Sequence, residues 1–207
     1  MSVTNCDFSP MKKKMSEGLQ QITNELQNSL EILGNENYCL LGKLEEIRDQ
    51  FIQTESIAAS FYLNCYLSSY TDKYVDLSIC VQRLSDRQHG ALIVVQRRDP
   101  LDSFIQKGTA IGATLNPALL EAIFYPGNPL HDGAVMICGN QIISAANVLP
   151  LTTEVISGKK LGTRHRAALG LTEKSDALVL VVSEETGRVS FAMDGKLHPI
   201  TTAQSLH

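Results

Sequence analysis

Leu130-His131-Asp132-Gly133-Ala134-Val135-Met136-Ile137-Cys138 places a histidine, a carboxylate and a glycine directly before an unbroken apolar run. A short apolar run bounded by turn residues reads as a buried strand. Asp132 then stands at the mouth of that strand, and Gly133, which has no Cβ, lets a ligand approach its backbone. Gly139-Asn140 follows as a tight-turn pair. Gln141-Ile142-Ile143-Ser144-Ala145-Ala146 makes the return strand, so the stretch reads as a β-hairpin.

Upstream of the hairpin, the pattern predicts a helix around residues 75–85 and a buried strand over residues 91–95. The Asp99-Pro100 turn comes next, then a short helix over residues 101–107 and an extended stretch near residues 109–115. Asn116-Pro117 opens a further helix, with the asparagine as cap and the proline at the first helical position. Downstream, a polar loop over residues 152–162 leads into a helix at Gly162-Thr163. A strand over residues 177–182, a turn around residues 185–187 and a strand over residues 189–193 close the pattern. Interleaved strands, helices and hairpins predict an α/β fold: a central mixed sheet flanked by helices.

The N-terminal part reads differently. Met15, Leu19, Ile22, Leu26, Leu30 and Leu33 recur every three or four residues and mark one face of a helix. Gly34-Asn35-Glu36-Asn37 breaks it, and Leu40, Leu44, Ile47 and Phe51 mark a second helix, giving an α-helical hairpin. The two stripes either pack on each other or on the main domain, or they hold protomers in an assembly. A helix from Thr54 or Ser56 toward Tyr70 makes the join between regions continuous. Residues 1–62 are therefore expected to form a separate helical region and residues 63–207 the main α/β domain.

The chain has 207 residues, a formal net charge of -4, 43% hydrophobic and 19% charged residues. That balance is ordinary for a globular protein and argues against a general binder of nucleic acid or membrane surface, so arginines must act locally. Cys6, Cys39, Cys65, Cys80 and Cys138 are scattered and odd in number, which fits free thiols in a reducing compartment. Lys12, Lys13 and Lys14 precede a polar amphipathic segment, not a secretory apolar region. No apolar run approaches the ~18 residues of a membrane span. A cytoplasmic protein is expected.

Gly162-Thr163-Arg164-His165-Arg166 puts two arginines and a histidine in the first turn of a helix. Helix starts offer free N–H groups and a positive dipole end, and a guanidinium fork matches phosphate oxygens, so this is a polyphosphate grip. Residues two apart do not share a helical face, so Arg164 and Arg166 serve different phosphates or different protomers. His165 completes the grip. Thr163 caps the helix, presents its hydroxyl to phosphate, or does both.

The pairing of Asp132-Gly133-Ala134 with Arg164-His165-Arg166 resembles the diadenylate cyclase (DAC) family. The likeness extends from about residue 64 to 194 and takes in Asn147-Val148-Leu149-Pro150 and Ser183-Glu184-Glu185 in order. It implies condensation of two ATP molecules into cyclic di-AMP. Asp132 would draw off the 3′-hydroxyl proton, as general base or by helping a metal polarise it, and Arg164 and Arg166 would neutralise the triphosphate. Gly133, Ala134, Leu149, Thr163, His165 and Ser183 would line the ATP, Leu149 either against adenine or simply as core. A divalent cation, Mn²⁺ or Mg²⁺, would sit near His131, Asp132 and Glu185. Glu185 is preferred to Glu184 because alternation along a strand sends only one of the two inward. The product is two-fold symmetric, so two protomers, each holding one ATP, must face each other. With two helices ahead of the domain, the chain is most similar to the soluble, sporulation-associated diadenylate cyclases.

Two rival readings remain. His131-Asp132 also occurs in HD-type phosphohydrolases, but these need a helical setting and further histidines, and here a glycine and an apolar strand follow. A nucleotide sensor that keeps the grip but has lost turnover is the other, against which stand the intact acid and basic triplets. No GxxxxGK[ST] occurs, which excludes a Walker-type ATPase.

Overall fold

The computed structural model describes residues 9–33, 39–154 and 161–200. The chain divides into two compact units, Met1–Cys65 and Tyr66–His207. The first contains α1 (Ser9–Glu31) and most of α2 (Leu40–Ser68). The predicted break at residues 34–37 lies outside the described residues. No proline interrupts residues 40–68, so the second helix and the one expected from Thr54 are a single element. Lys12 lies over the Phe61 ring, Gly18 meets Thr54 and Glu25 pairs with Lys43, so numbers rise in one helix as they fall in the other. The hairpin is antiparallel. A Cβ at Gly18 would lie 2.5 Å from Thr54 Oγ1, which shows how closely the helices approach there. Of the apolar stripes, Ile22 and Ile47 are buried, whereas Leu19, Leu26, Leu30, Leu33, Leu44 and Phe51 are exposed.

The second unit runs α3 (Tyr74–Asp86), β1 (Ala91–Gln96), β2 (Thr109–Thr114), α4 (Pro117–Ile123), β3 (Ala134–Cys138) and β4 (Gln141–Asn147). It continues through α5 (Thr163–Thr172), β5 (Leu178–Val182), β6 (Val189–Met193) and β7 (Lys196–Ile200). The strands form one mixed sheet in the order β2-β4-β3-β1-β5-β6-β7. β1 and β3 are parallel and every other neighbouring pair is antiparallel. The unbroken apolar runs of β1 and β5 occupy the middle, where both faces of a strand are covered. Leu92, Val94, Val179 and Val181 join Ala167, Ala168 and Leu171 of α5 in one core cluster. The alternating Ile93, Val95, Leu178 and Leu180 face the other way and are equally buried, on the side where α3 meets β5. Among the described residues no helix is long and apolar enough to cross a membrane.

Two elements differ from expectation. Residues 101–107 are not a helix: one turn closes Phe104 N–H onto Leu101 C=O at 3.0 Å. Gln106 is then drawn into an extended bridge with Val148, exchanging hydrogen bonds of 2.9 and 3.0 Å. A non-local pairing has overridden local helical pattern. β7 was not expected either, because its alternation is weak and it contains Pro199. At a sheet edge that proline removes no needed donor. Asp194 and Gly195 both have positive φ, 50° and 68°, the two-residue turn that matches strand twist.

Candidate active site

The strand register decides which loops meet. Ala91 stands opposite Val182, Ile93 opposite Val135 and Ala134 opposite Asn147. The starts of β1 and β3 and the ends of β4 and β5 therefore share one end of the sheet. Gly90, Asp132-Gly133, Val148-Leu149 and Ser183-Glu184-Glu185 all emerge there.

The Asp132 loop is held from two sides. Gly133 has φ +113°, and a Cβ on it would lie 2.8 Å from both Ala146 C and Asn147 O. Its glycine is demanded by the neighbouring strand of its own fold, as well as by any ligand. Asn147 is 1% exposed and acts as the tie. Its Oδ1 accepts from Gly108 N–H (3.0 Å) and Ser144 Oγ (2.9 Å), while Nδ2 donates to Ala134 C=O (2.7 Å). Ala134 is buried and its carbonyl is taken by that bond. Asp132 itself is exposed.

His131 donates its backbone N–H to Asn128 C=O at 3.0 Å, and its ring Nδ1 contacts the same oxygen. A carbonyl only accepts, so Nδ1 carries a proton and Nε2 is the ring nitrogen left for other partners. Metal-ligating histidines are held in this way. Among the described residues, however, no three His, Cys, Asp or Glu side chains are grouped to hold a metal ion. His131, Asp132 and Glu185 are therefore not a closed cage. A cation there would need further ligands beyond these side chains, such as phosphate oxygens.

The start of α5 differs in one detail from expectation. Gly162 is the N-cap, extended at φ -66° and ψ 163°, and no side chain caps the helix. Thr163 is the first helical residue and its exposed hydroxyl does not serve as cap. First-turn N–H groups are thus left to water or to an anion.

Arg164 and Arg166 diverge, as their spacing requires. Arg164, with a side chain 25% exposed, gives Nη1–H to Glu184 Oε2 at 2.6 Å. Arg166 gives Nη2–H to Thr152 C=O at 3.3 Å, and its own carbonyl accepts Thr152 N–H at 3.0 Å. His165, between them, is half-buried. Burial and then the Arg164 charge push its pKa below the usual histidine value, against an opposing pull from Glu185.

Glu184 pairs with Arg164 at this end of the sheet. The hydrogen bond from Arg164 and that arginine's charge hold its carboxyl below the ordinary carboxylate range, against burial, with a further push from His131. It was not among the expected ligands. Strand alternation does not apply to Ser183-Glu184-Glu185, because β5 ends at Val182 and residues 184–186 form a turn. The Glu184 carboxylate faces the helix start through its bond from Arg164. Ser183 Oγ accepts the Thr186 N–H at 3.3 Å inside that turn. Leu149 is 6% exposed and packs in the core cluster beside Leu101 and Ala168.

Known proteins match across this whole arrangement. A family described as "DisA bacterial checkpoint controller nucleotide-binding" matches residues 78–197, and one described as "Diadenylate cyclase CdaS, N-terminal" matches residues 3–70. The chain is 47% identical over 194 residues to the cyclic di-AMP synthase CdaS of Bacillus subtilis, covering 94% of this chain and 93% of that protein. To the diadenylate cyclase CdaS of Bacillus thuringiensis it is 50% identical over 189 residues, 91% of this chain and 92% of the other. A crystal structure described as a hypothetical membrane spanning protein from Bacillus cereus superposes with a TM-score of 0.76 at 48% identity, covering 93% and 95% of the two chains. DacA from Staphylococcus aureus superposes with a TM-score of 0.59 at 43% identity, covering 63% of this chain and 88% of that one.

Proposed function

Because this chain belongs to the diadenylate cyclase family, we propose that it condenses two ATP molecules into cyclic di-AMP and two diphosphates in the cytoplasm. The observation that carries the reading is the meeting of the Asp132 loop and the Arg164 turn at one end of the sheet, with Glu184 between them.

In each of two steps the 3′-oxygen of one ATP bonds to the α-phosphorus of the other. The bond from that phosphorus to the bridging oxygen breaks and diphosphate leaves. Asp132, exposed at the loop tip, accepts the 3′-hydroxyl proton as general base. The uncapped start of α5, with Thr163, His165, Arg164 and Arg166, binds the phosphates, and the divergence of the two arginines spreads positive charge over more than one of them. A divalent cation, Mn²⁺ or Mg²⁺, held by His131 Nε2, Asp132 and Glu185 and completed by phosphate oxygens, would neutralise charge on the triphosphate. Gly133, Ala134, Leu149 and Ser183 shape the floor of the nucleotide site.

One protomer holds one ATP, and the reaction needs a second protomer facing it about a two-fold axis. The N-terminal helices govern how protomers assemble, and so permit or suppress that pairing. In support, Leu19, Leu26, Leu30, Leu33, Leu41 and Leu44 are exposed along them, more apolar surface than a solvated hairpin requires. Deleting residues 1–60 should change both oligomer size and specific activity.

The decisive test is incubation of pure protein with ATP and Mn²⁺ or Mg²⁺, with chromatographic detection of cyclic di-AMP. Asp132→Asn should lower the rate by about 10²- to 10⁴-fold, the range of a lost general base. Nucleotide binding with no product from the parent protein would instead identify a silent binding module.

A further inference from the structure

Gly90 follows the exit from α3 and precedes β1, 74 positions before Arg164 in the chain. Its backbone lies outside the left-handed region, so conformation alone does not call for glycine there. Space does. A Cβ at this position would stand 2.5 Å from Arg164 Nη1, 2.7 Å from Arg164 Cζ and 2.9 Å from Glu184 Cβ. The Arg164 guanidinium thus lies against the bare backbone of Gly90 on one side and is hydrogen-bonded to Glu184 at 2.6 Å on the other.

Both walls stand on the last turn of α3. His89 N–H donates to Leu84 C=O at 2.9 Å, and Ala91 pairs with Val182, which fixes Gly90 from either side. The Glu184 turn is closed by Gly187 N–H to Ser183 C=O at 2.9 Å, and Ser85 Oγ donates to Gly187 C=O at 2.7 Å. A flexible arginine is therefore held between two rigid backbone segments before any nucleotide arrives.

We propose that Gly90 and Glu184 form a slot that pre-orients Arg164 for the nucleotide phosphate, and that both are positioning residues acting through that arginine. The proposal rests on the function argued above. Pre-orientation removes the entropy cost of fixing the side chain on binding and aims the fork at the charge to be neutralised. A methyl at position 90 presses hardest on the mobile end of Arg164, at 2.5 and 2.7 Å, and also on Glu184 Cβ at 2.9 Å, so the guanidinium must move and the Glu184 turn must give slightly.

The experiment is a double-mutant cycle on the full-length protein, reading affinity for α,β-methylene ATP by calorimetry, kcat/KM for product formation, and melting temperature. Gly90→Ala should lower affinity and kcat/KM by on the order of 10²-fold, as expected when a binding group is misplaced by about an ångström, with only a small fall in melting temperature. In an Arg164→Ala background the same substitution should have no further effect on affinity. Glu184→Gln, at an exposed position that does not threaten folding, should follow the same pattern and carries the cycle if Gly90→Ala does not fold. Full affinity in Gly90→Ala, or an equal loss with and without Arg164, overturns the slot. A parent protein that binds the analogue but makes no cyclic di-AMP overturns the proposed function instead, and the affinity cycle still decides the slot.

Discussion

Arg97, Arg98 and Asp99 leave the end of β1 just where Asp176 approaches the start of β5, while Asp132, Arg164 and Glu184 gather at the opposite end of the same strands. At the first end the charges converge on Asp176, although Arg97 Nε is buried without a hydrogen-bond partner. Arg97 Nη1 donates to Asp176 C=O at 3.1 Å and its guanidinium lies 5.0 Å from the Tyr70 ring. Arg98 Nε donates to Asp176 Oδ2 at 3.1 Å. Asp99 and Asp176 each accept the other's backbone N–H, at 2.8 and 3.0 Å respectively. At the second end Arg164 meets one exposed carboxylate, Arg166 meets a carbonyl at 3.3 Å, and Asp132 is exposed. The residue types are alike. Shared pairing through Asp176 makes the first cluster a clasp between strands, while the second holds fewer ties between its charged groups.

Exchanging the same mutation between the two ends is the strongest way to break this contrast. Arg164→Ala should lower turnover by about 10²- to 10³-fold, the scale of a lost transition-state donor, with little change in melting temperature. Arg98→Ala should lower melting temperature and leave turnover intact. A reversed outcome in paired activity and thermal-melt assays would refute the division of labour. Asn147→Ala sharpens it, because this residue lies at the reactive end but is itself fully engaged. Unsatisfying the Gly108 N–H and freeing the start of β3 should cost about 1–3 kcal/mol in urea unfolding, with activity falling only as the Asp132 loop loosens.

The smallest effect concerns pH. Burial pulls the Asp176 carboxyl upward, but the Asp99 backbone N–H, the Arg98 side chain and backbone, and the Arg97 charge outweigh it and leave its pKa below the ordinary 3.8. A carboxylate lowered by folding contributes stability that is fully present above its unfolded value and lost as pH falls through the folded one. The melting-temperature gap between the parent and Asp176→Asn should be constant near neutrality and close below about pH 4. A gap that widens with acid would show that the clasp is not electrostatic.

Much of this was legible in the chain because it is local. Residues 91–95 and 134–138 announce buried strands, and the Asn116-Pro117 pair opens α4, where Asn116 Oδ1 accepts Leu119 N–H at 2.9 Å. What escaped was non-local. Residues 101–107 look helical until Val148 is known to lie alongside Gln106. Pro199 hid β7, although Asp194-Gly195 between two extended stretches was a usable hairpin signal. Glu185 was preferred to Glu184 by strand alternation, which does not carry past Val182. The reason for Gly90 lies in a side chain on another element, and nothing near position 90 reports it.

The sheet order has a consequence for how the protein comes into being. β2-β4-β3-β1 is built from residues 91–147 and β5-β6-β7 from residues 178–200, and the two blocks join only along β1 and β5. The seam between them is where the reactive end forms. A nascent chain that has made only the first block carries Asp132 but has neither the Arg164 helix nor the Glu184 turn, so the proposed site is complete only once the seam has closed.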